Sequence, residues 1–240
     1  MQSPFANLTP VVKNLIIINV ICYIATFALV KIVDLETLFS AFYFGSPLFK
    51  PWQIITYMFM HSSRDFSHIL FNMIALFMFG PILESTLGSK KFFNLYFLAG
   101  IGGYLLNMLV HAIQIYSIIG GFTIPHPEAD ASYFMYGGGQ EQAQQLYSLY
   151  NGAMVGASGA IFGMLVAFGM LFPNMEMMIM FIPVPVKAKY VVMGYIALEL
   201  FSGFGRFAGD PVAHFAHLGG ALFGFILIKL WGVQKPNNYY

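Results

Sequence analysis

The chain has 240 residues, of which 58% are hydrophobic and only 9% charged, with a formal net charge of +1 and a mean hydropathy of +0.72. A soluble globule carries about 25% charged residues, so this composition excludes one and points to an all-α protein of the lipid bilayer. The near-zero charge suggests no nucleic-acid partner, and Cys22, the single cysteine, excludes an internal disulfide or a multi-cysteine metal site.

A bilayer core needs about 20 mostly apolar residues per helix. Segments of that kind fall at 12–31, 66–86, 92–113, 152–172, 188–205 and 211–232, predicting a six-transmembrane-helix bundle in one membrane domain over 1–240. The first is longer than a signal-peptide core and no A-x-A site follows it, so it reads as a span that is retained. The fifth is the shortest and carries Glu199.

Of the two long connections, 32–65 is aromatic and semi-apolar, with Phe39, Phe42, Tyr43, Phe44, Pro51 and Trp52, which suits a segment lying in the interface. The 114–150 stretch is polar and turn-rich, with Pro125, Pro127 and Gly137 to Gly139, and Glu141 to Tyr150 is able to form a short amphipathic helix. Lys13, Lys90, Lys91, Lys187, Lys189, Lys229 and Lys235 fall on one side of the predicted membrane, against Lys31, Lys50, Arg64 and Arg206 on the other. That bias puts both termini in the cytoplasm and the 114–150 loop outside. The expected location is a bacterial cell (inner) membrane.

The chemistry-bearing residues sit inside the apolar segments. Ser158 lies in Gly156-Ala157-Ser158-Gly159-Ala160 of span four, and His217 in His214-Phe215-Ala216-His217-Leu218-Gly219-Gly220 of span six. Serine is a poor nucleophile without a neighbouring base, and His217 is the candidate. His68 and Asn72 in span two are four apart, hence on one helix face, where both can donate to an oxyanion. With the N-terminus inside, spans two, four and six all enter from the outer face, and the helical rise puts Asn72, Ser158 and His217 each roughly 10 Å below it. Gly156 and Gly159 leave room for a substrate backbone, and a serine at a helix entry meets the positive end of the dipole.

Together these motifs closely resemble the rhomboid family of intramembrane serine proteases over about residues 50–230. The matching runs are His68 to Asn72, Gly80 to Glu84 with Leu87-Gly88-Ser89, Gly156 to Gly159, and Ala216-His217-Leu218-Gly219-Gly220 with Gly224. The resemblance implies Ser158 as nucleophile, His217 as base, and His68, Asn72 and the Ser158 N–H as oxyanion donors. It implies hydrolysis of a peptide bond in or beside the transmembrane helix of a membrane-protein substrate by a Ser-His dyad, with no cofactor and no metal. Two positions depart from the family pattern. Phe162 stands where a tyrosine often packs on the imidazole, and Trp52-Gln53 stands where many members have Trp-Arg, losing a charge for lipid headgroups.

The soluble-hydrolase elbow G-x-S-x-G fails at Ala160. A transporter would show paired intramembrane carboxylates or broken helices in repeated halves; a catalytically silent rhomboid-like protein that binds transmembrane helices is the remaining alternative. His214 and His217 form an i, i+3 pair but lack an evident third metal ligand, so no metal site is expected. Asp210 reads as an N-terminal helix charge, Glu199 as a group near the outer interface or bonded to a neighbouring helix, and His61 and Glu84 as structural hydrogen-bonding groups.

Overall fold

The computed structural model describes residues 8–124, 139–178, 184–205 and 213–234. In chain order the elements are α1 (Pro10–Ala28), α2 (Leu35–Phe39), α3 (Gln53–Thr56), α4 (Phe66–Leu87), α5 (Ser89–Ile119), α6 (Gly139–Asn151), α7 (Ser158–Leu171), β1 (Glu176–Met178), β2 (Pro185–Lys187), α8 (Ala188–Gly205) and α9 (His214–Leu230). A helix occupies each of the six apolar segments. Of these, α1, α4 and α5 are long and apolar enough to cross a membrane, and α7 and α9 are shorter apolar helices. Their outward faces carry large apolar side chains such as Ile24, Phe71, Leu109, Phe201 and Leu230, as contact with lipid requires.

Packing explains the order of the bundle. α9 lies between α5 and α7 at the centre, α4 lies against α7 and α1, and α8 sits outside against α9 and α7. Within lipid there is no hydrophobic drive to join helices, so close backbone approach over small residues supplies the contact. A Cβ on Gly224 would stand 2.7 Å from the Gly163 Cα, and one on Gly219 would stand 2.5 Å from the Gly102 carbonyl oxygen. α9 thus meets α7 along one glycine edge and α5 along another.

Buried polar groups close the ends. Glu84, 2% exposed near the end of α4, accepts the backbone N–H groups of Val11 at 3.1 Å and Val12 at 3.0 Å, and the Ser89 hydroxyl at 2.6 Å. It therefore satisfies orphan donors in the first turn of α1 and fixes the start of α5. Gln53 is fully buried and donates to the Thr37, Leu38 and Leu48 carbonyls while accepting from the Lys50 N–H. The residue that replaces a headgroup-binding charge is an internal brace of the first long connection.

Four details correct the sequence reading. α7 begins at Ser158, not near 152, because residues 152–157 are not helical; hydropathy measures polarity and is blind to backbone conformation. α5 runs to Ile119, past the predicted end at 113, until Gly120 at φ 68° caps it in the left-handed region. A β1–β2 hairpin with Met177 opposite Val186 joins α7 to α8, a small strand component in an otherwise helical fold. Ser158 is the first residue of α7, while His217 and Asn72 sit about one and two turns into α9 and α4, so helical rise alone does not level them. The expected amphipathic helix is present as α6, which buries Ala143, Leu146, Leu149 and Tyr150. Asp210, Arg206 and the proline- and glycine-rich part of the second long connection lie outside the described residues.

Candidate active site

Ser158 is delivered by an extended segment, not by a long helix. Ala41 and Met154 exchange backbone hydrogen bonds of 2.9 and 2.8 Å, and the Gly156 N–H donates to the Tyr57 carbonyl at 3.0 Å. The first long connection therefore holds residues 154–156 like a β-bridge and sets where α7 starts. Gly156 adopts φ 121°, and a Cβ there would stand 2.6 Å from His68 Nε2 and 3.5 Å from Ser158 Oγ. Only glycine meets both conditions. As the first residue of α7, Ser158 keeps a backbone N–H with no intrahelical acceptor.

His217 reaches the serine from α9. Its Nε2 lies 2.8 Å from Ser158 Oγ, a nucleophile–base distance. Phe162, one turn after the serine, stacks on the imidazole with centroids 4.4 Å apart and planes at 5°. The other ring nitrogen, Nδ1, lies 3.0 Å from Glu199 Oε1 of α8. His217 Nδ1 makes no directed hydrogen bond there, so the pairing is chiefly electrostatic. Glu199 Oε2 lies 2.6 Å from His214 Nδ1. Glu199 is 7% exposed, and its carboxylate bridges two imidazoles inside the bundle.

His68 and Asn72 enter differently. The His68 ring stands over Gly156 beside the serine and lines the same cleft. Asn72 is buried, and its Nδ2 donates to the His68 carbonyl at 2.7 Å, which commits one of its two N–H groups to its own helix. Behind them His61 is fully buried, edge-on to His68 with centroids 5.1 Å apart. Neither ring nitrogen of His61 has a hydrogen-bond partner among the described residues, and burial lowers its pKa to about 3. Asp65 caps α4 by accepting the Ser67 N–H at 2.9 Å, and its hydrogen bonds to Ser67 hold its pKa below the ordinary carboxylate value.

A cleft of about 820 Å³ opens over Ser158, lined by His68, His214 and His217 and also by Asn107 and His111. The sequence analysis missed the link between Glu199 and His217. The available signal was a carboxylate within an apolar span, a costly placement that asks for a partner. Glu199 also supplies the third donor that the His214–His217 pair lacked, and the three ligand atoms lie within 4.8 Å of one another. The contacts of 2.6 and 3.0 Å are, however, shorter than the roughly 3.3 Å that separates two ligands on a tetrahedral zinc. As arranged they form charge-paired contacts and would have to spread to admit an ion.

The sequence profile of the Rhomboid domain matches residues 48–124 and 128–233, and the chain belongs to the rhomboid family of integral membrane proteins. It is 28% identical over 174 residues to the yeast (Saccharomyces cerevisiae) "Rhomboid protein 1, mitochondrial", covering 72% of this chain and 40% of that protein. It is 26% identical over 188 residues to the "Putative rhomboid protease YdcA" of Bacillus subtilis, covering 78% and 71%. A match to the Toxoplasma gondii "Rhomboid-like protease 3" is 33% identical over 78 residues, 32% of this chain and 29% of that protein. The chain thus spans less than half the length of the yeast relative.

Proposed function

We propose that this protein is an intramembrane serine endopeptidase that cleaves membrane-protein substrates in or beside a transmembrane helix. The observation that carries the reading is the 2.8 Å contact between His217 Nε2 and Ser158 Oγ, made across two helices in the lining of a large cleft. A partly buried hydroxyl and imidazole held this way are explained by acyl transfer.

In this mechanism neutral His217 accepts the Ser158 proton at Nε2 as Oγ attacks the scissile carbonyl carbon. Charge developing on the carbonyl oxygen is met by the Ser158 N–H at the start of α7 and by the His68 ring, with the remaining Asn72 N–H as a further donor. His217 then gives its proton to the leaving amine, and the acyl-enzyme remains. Water, deprotonated by the same nitrogen, releases the new carboxyl terminus. No step calls for a metal or a cofactor.

Six membrane-crossing helices, both termini in the cytoplasm, and a cleft facing the opposite side belong to the same proposal, supported by the lysine and arginine asymmetry. The test is fluorophosphonate labelling of the detergent-solubilised protein together with cleavage of a panel of single-pass membrane proteins. Labelling of the wild type and none of Ser158→Ala, with cleavage lost in parallel, is the expected result. A folded wild type that neither labels nor cleaves would favour a catalytically silent protein that only binds transmembrane helices.

A further inference from the structure

We infer that Glu199 is a positioning residue for His217, so that the catalytic unit is a relay of three residues, Ser158, His217 and Glu199, braced by a fourth, His214. The inference rests on the proteolytic reading above and adds to it a carboxylate from a third helix.

The energetics of the bilayer frame the argument. An ionised carboxylate inside a span is expensive unless it is paired. His214 alone, at 2.6 Å from Oε2, satisfies one oxygen. The second oxygen stands 3.0 Å from His217 Nδ1, the nitrogen that must keep its proton if Nε2 is to accept from Ser158. A carboxylate on that side favours the correct tautomer, fixes the ring and stabilises the imidazolium that forms during attack. His214 and His217 are three residues apart on α9 and both meet α8 through Glu199, so His214 fixes the carboxylate rotamer while the free oxygen serves the base. Phe162 covers the ring face, leaving rotation in its own plane as the freedom that Glu199 restrains. Most of α8 is apolar: Tyr190, Met193, Leu198, Phe201 and Phe204 are all more than half exposed, while Ala188, Val191 and Val192 are buried with Glu199. Beside those residues Glu199 is the inward-facing charge of the helix.

The test compares wild type, Glu199→Gln and Glu199→Asp on one transmembrane substrate, with kcat divided by the amount of serine that fluorophosphonate labels at saturation. Glu199→Gln keeps the size of the side chain and removes the charge, and lowers this normalised kcat by about 10²-fold or more with KM within about twofold. Glu199→Asp restores the carboxylate on a shorter stem and recovers at least about fivefold of the loss while staying below wild type. If Glu199→Gln yields too little folded protein, Glu199→Asp alone carries the comparison, with a normalised kcat about tenfold below wild type expected. A merely structural carboxylate would reduce the labelled fraction and leave kcat per labelled serine intact. That result, an unchanged kcat, or Asp no better than Gln overturns the inference. Absence of labelling in the wild type would instead overturn the proteolytic reading itself.

Discussion

Gly220 of α9 lies directly against the backbone of Gly159 of α7, so close that a Cβ on Gly220 would stand 2.6 Å from the Gly159 carbonyl carbon. Gly159 follows Ser158 and Gly220 lies one turn after His217, so this contact sets the spacing of the proposed dyad. Even Gly220→Ala should push α9 from α7, lowering the fluorophosphonate labelling rate by more than about tenfold and costing about 1–3 kcal/mol of stability. Gly219, turned toward α5, is crowded as well but less tightly, with the Gly102 carbonyl oxygen 2.5 Å and the Gly103 Cα 3.0 Å from a Cβ there. Gly219→Ala should lower the melting temperature as Gly220→Ala does, but retain more of the labelling rate at temperatures where both variants are folded. Labelling rates in the opposite order would show that α7 is not the surface that positions His217.

His68 and Asn72 should not contribute equally to the oxyanion. The His68 ring stands beside the serine, whereas one Asn72 N–H is already given to the His68 carbonyl. His68→Ala is expected to lower kcat by about 10²-fold, and Asn72→Ala by about tenfold, each with little change in KM. Steady-state kinetics decide it. A larger loss at Asn72 would mean that its amide turns into the cleft when substrate binds.

Glu84 should matter for stability and not for turnover. Its two oxygens hold the Val11 and Val12 N–H groups and the Ser89 hydroxyl. Glu84→Ala leaves the buried Val12 N–H and the half-buried Val11 N–H without acceptors and should cost about 1–3 kcal/mol, seen as a lower melting temperature with kcat per labelled serine unchanged. A melting temperature equal to wild type would remove the proposed tie between α1, α4 and α5.

His61 supplies a pH dependence. Its pKa in the fold is depressed from the ordinary 6.5 to about 3, first by burial and second by the neighbouring His68. As pH falls below 6.5 the unfolded chain takes up a proton that the folded chain refuses, so the contribution of neutral His61 is whole above that pH and is lost progressively toward pH 3. His61→Phe should escape about 1–2 kcal/mol of the acid destabilisation that wild type suffers between about pH 7.5 and pH 5. Melting temperatures at the two pH values test this. Equal drops in the two proteins would place the wild-type ring in contact with water.

Much of the site was legible because its chemistry is written in local runs. Ser158 with its flanking glycines, His217 with the glycines after it, and the His68–Asn72 pair each occupy a few consecutive residues of an apolar segment. The six apolar segments were equally plain, since about 20 residues of low polarity are a property of composition. The start of α7 was not legible. It depends on Met154 pairing with Ala41 and on Gly156 donating to Tyr57, partners about a hundred residues away in the chain.

Glu199 marks the boundary most sharply. The sequence determined that a carboxylate lies in an apolar span and must find a partner there, because lipid offers none. Its neighbours on α8 are mostly apolar, so no clear periodicity reveals which face meets α9. Only the tertiary structure, by packing α8 against His214 and His217, decided that one oxygen would reach Nδ1 of the base. The sequence by itself determined the solvent, the apolar helices and the motifs that carry Ser158 and His217, since these follow from hydropathy and short runs. The rest of the relay required the packing of helices on one another, because distances between side chains on separate helices are set by shape complementarity and not by spacing along the chain.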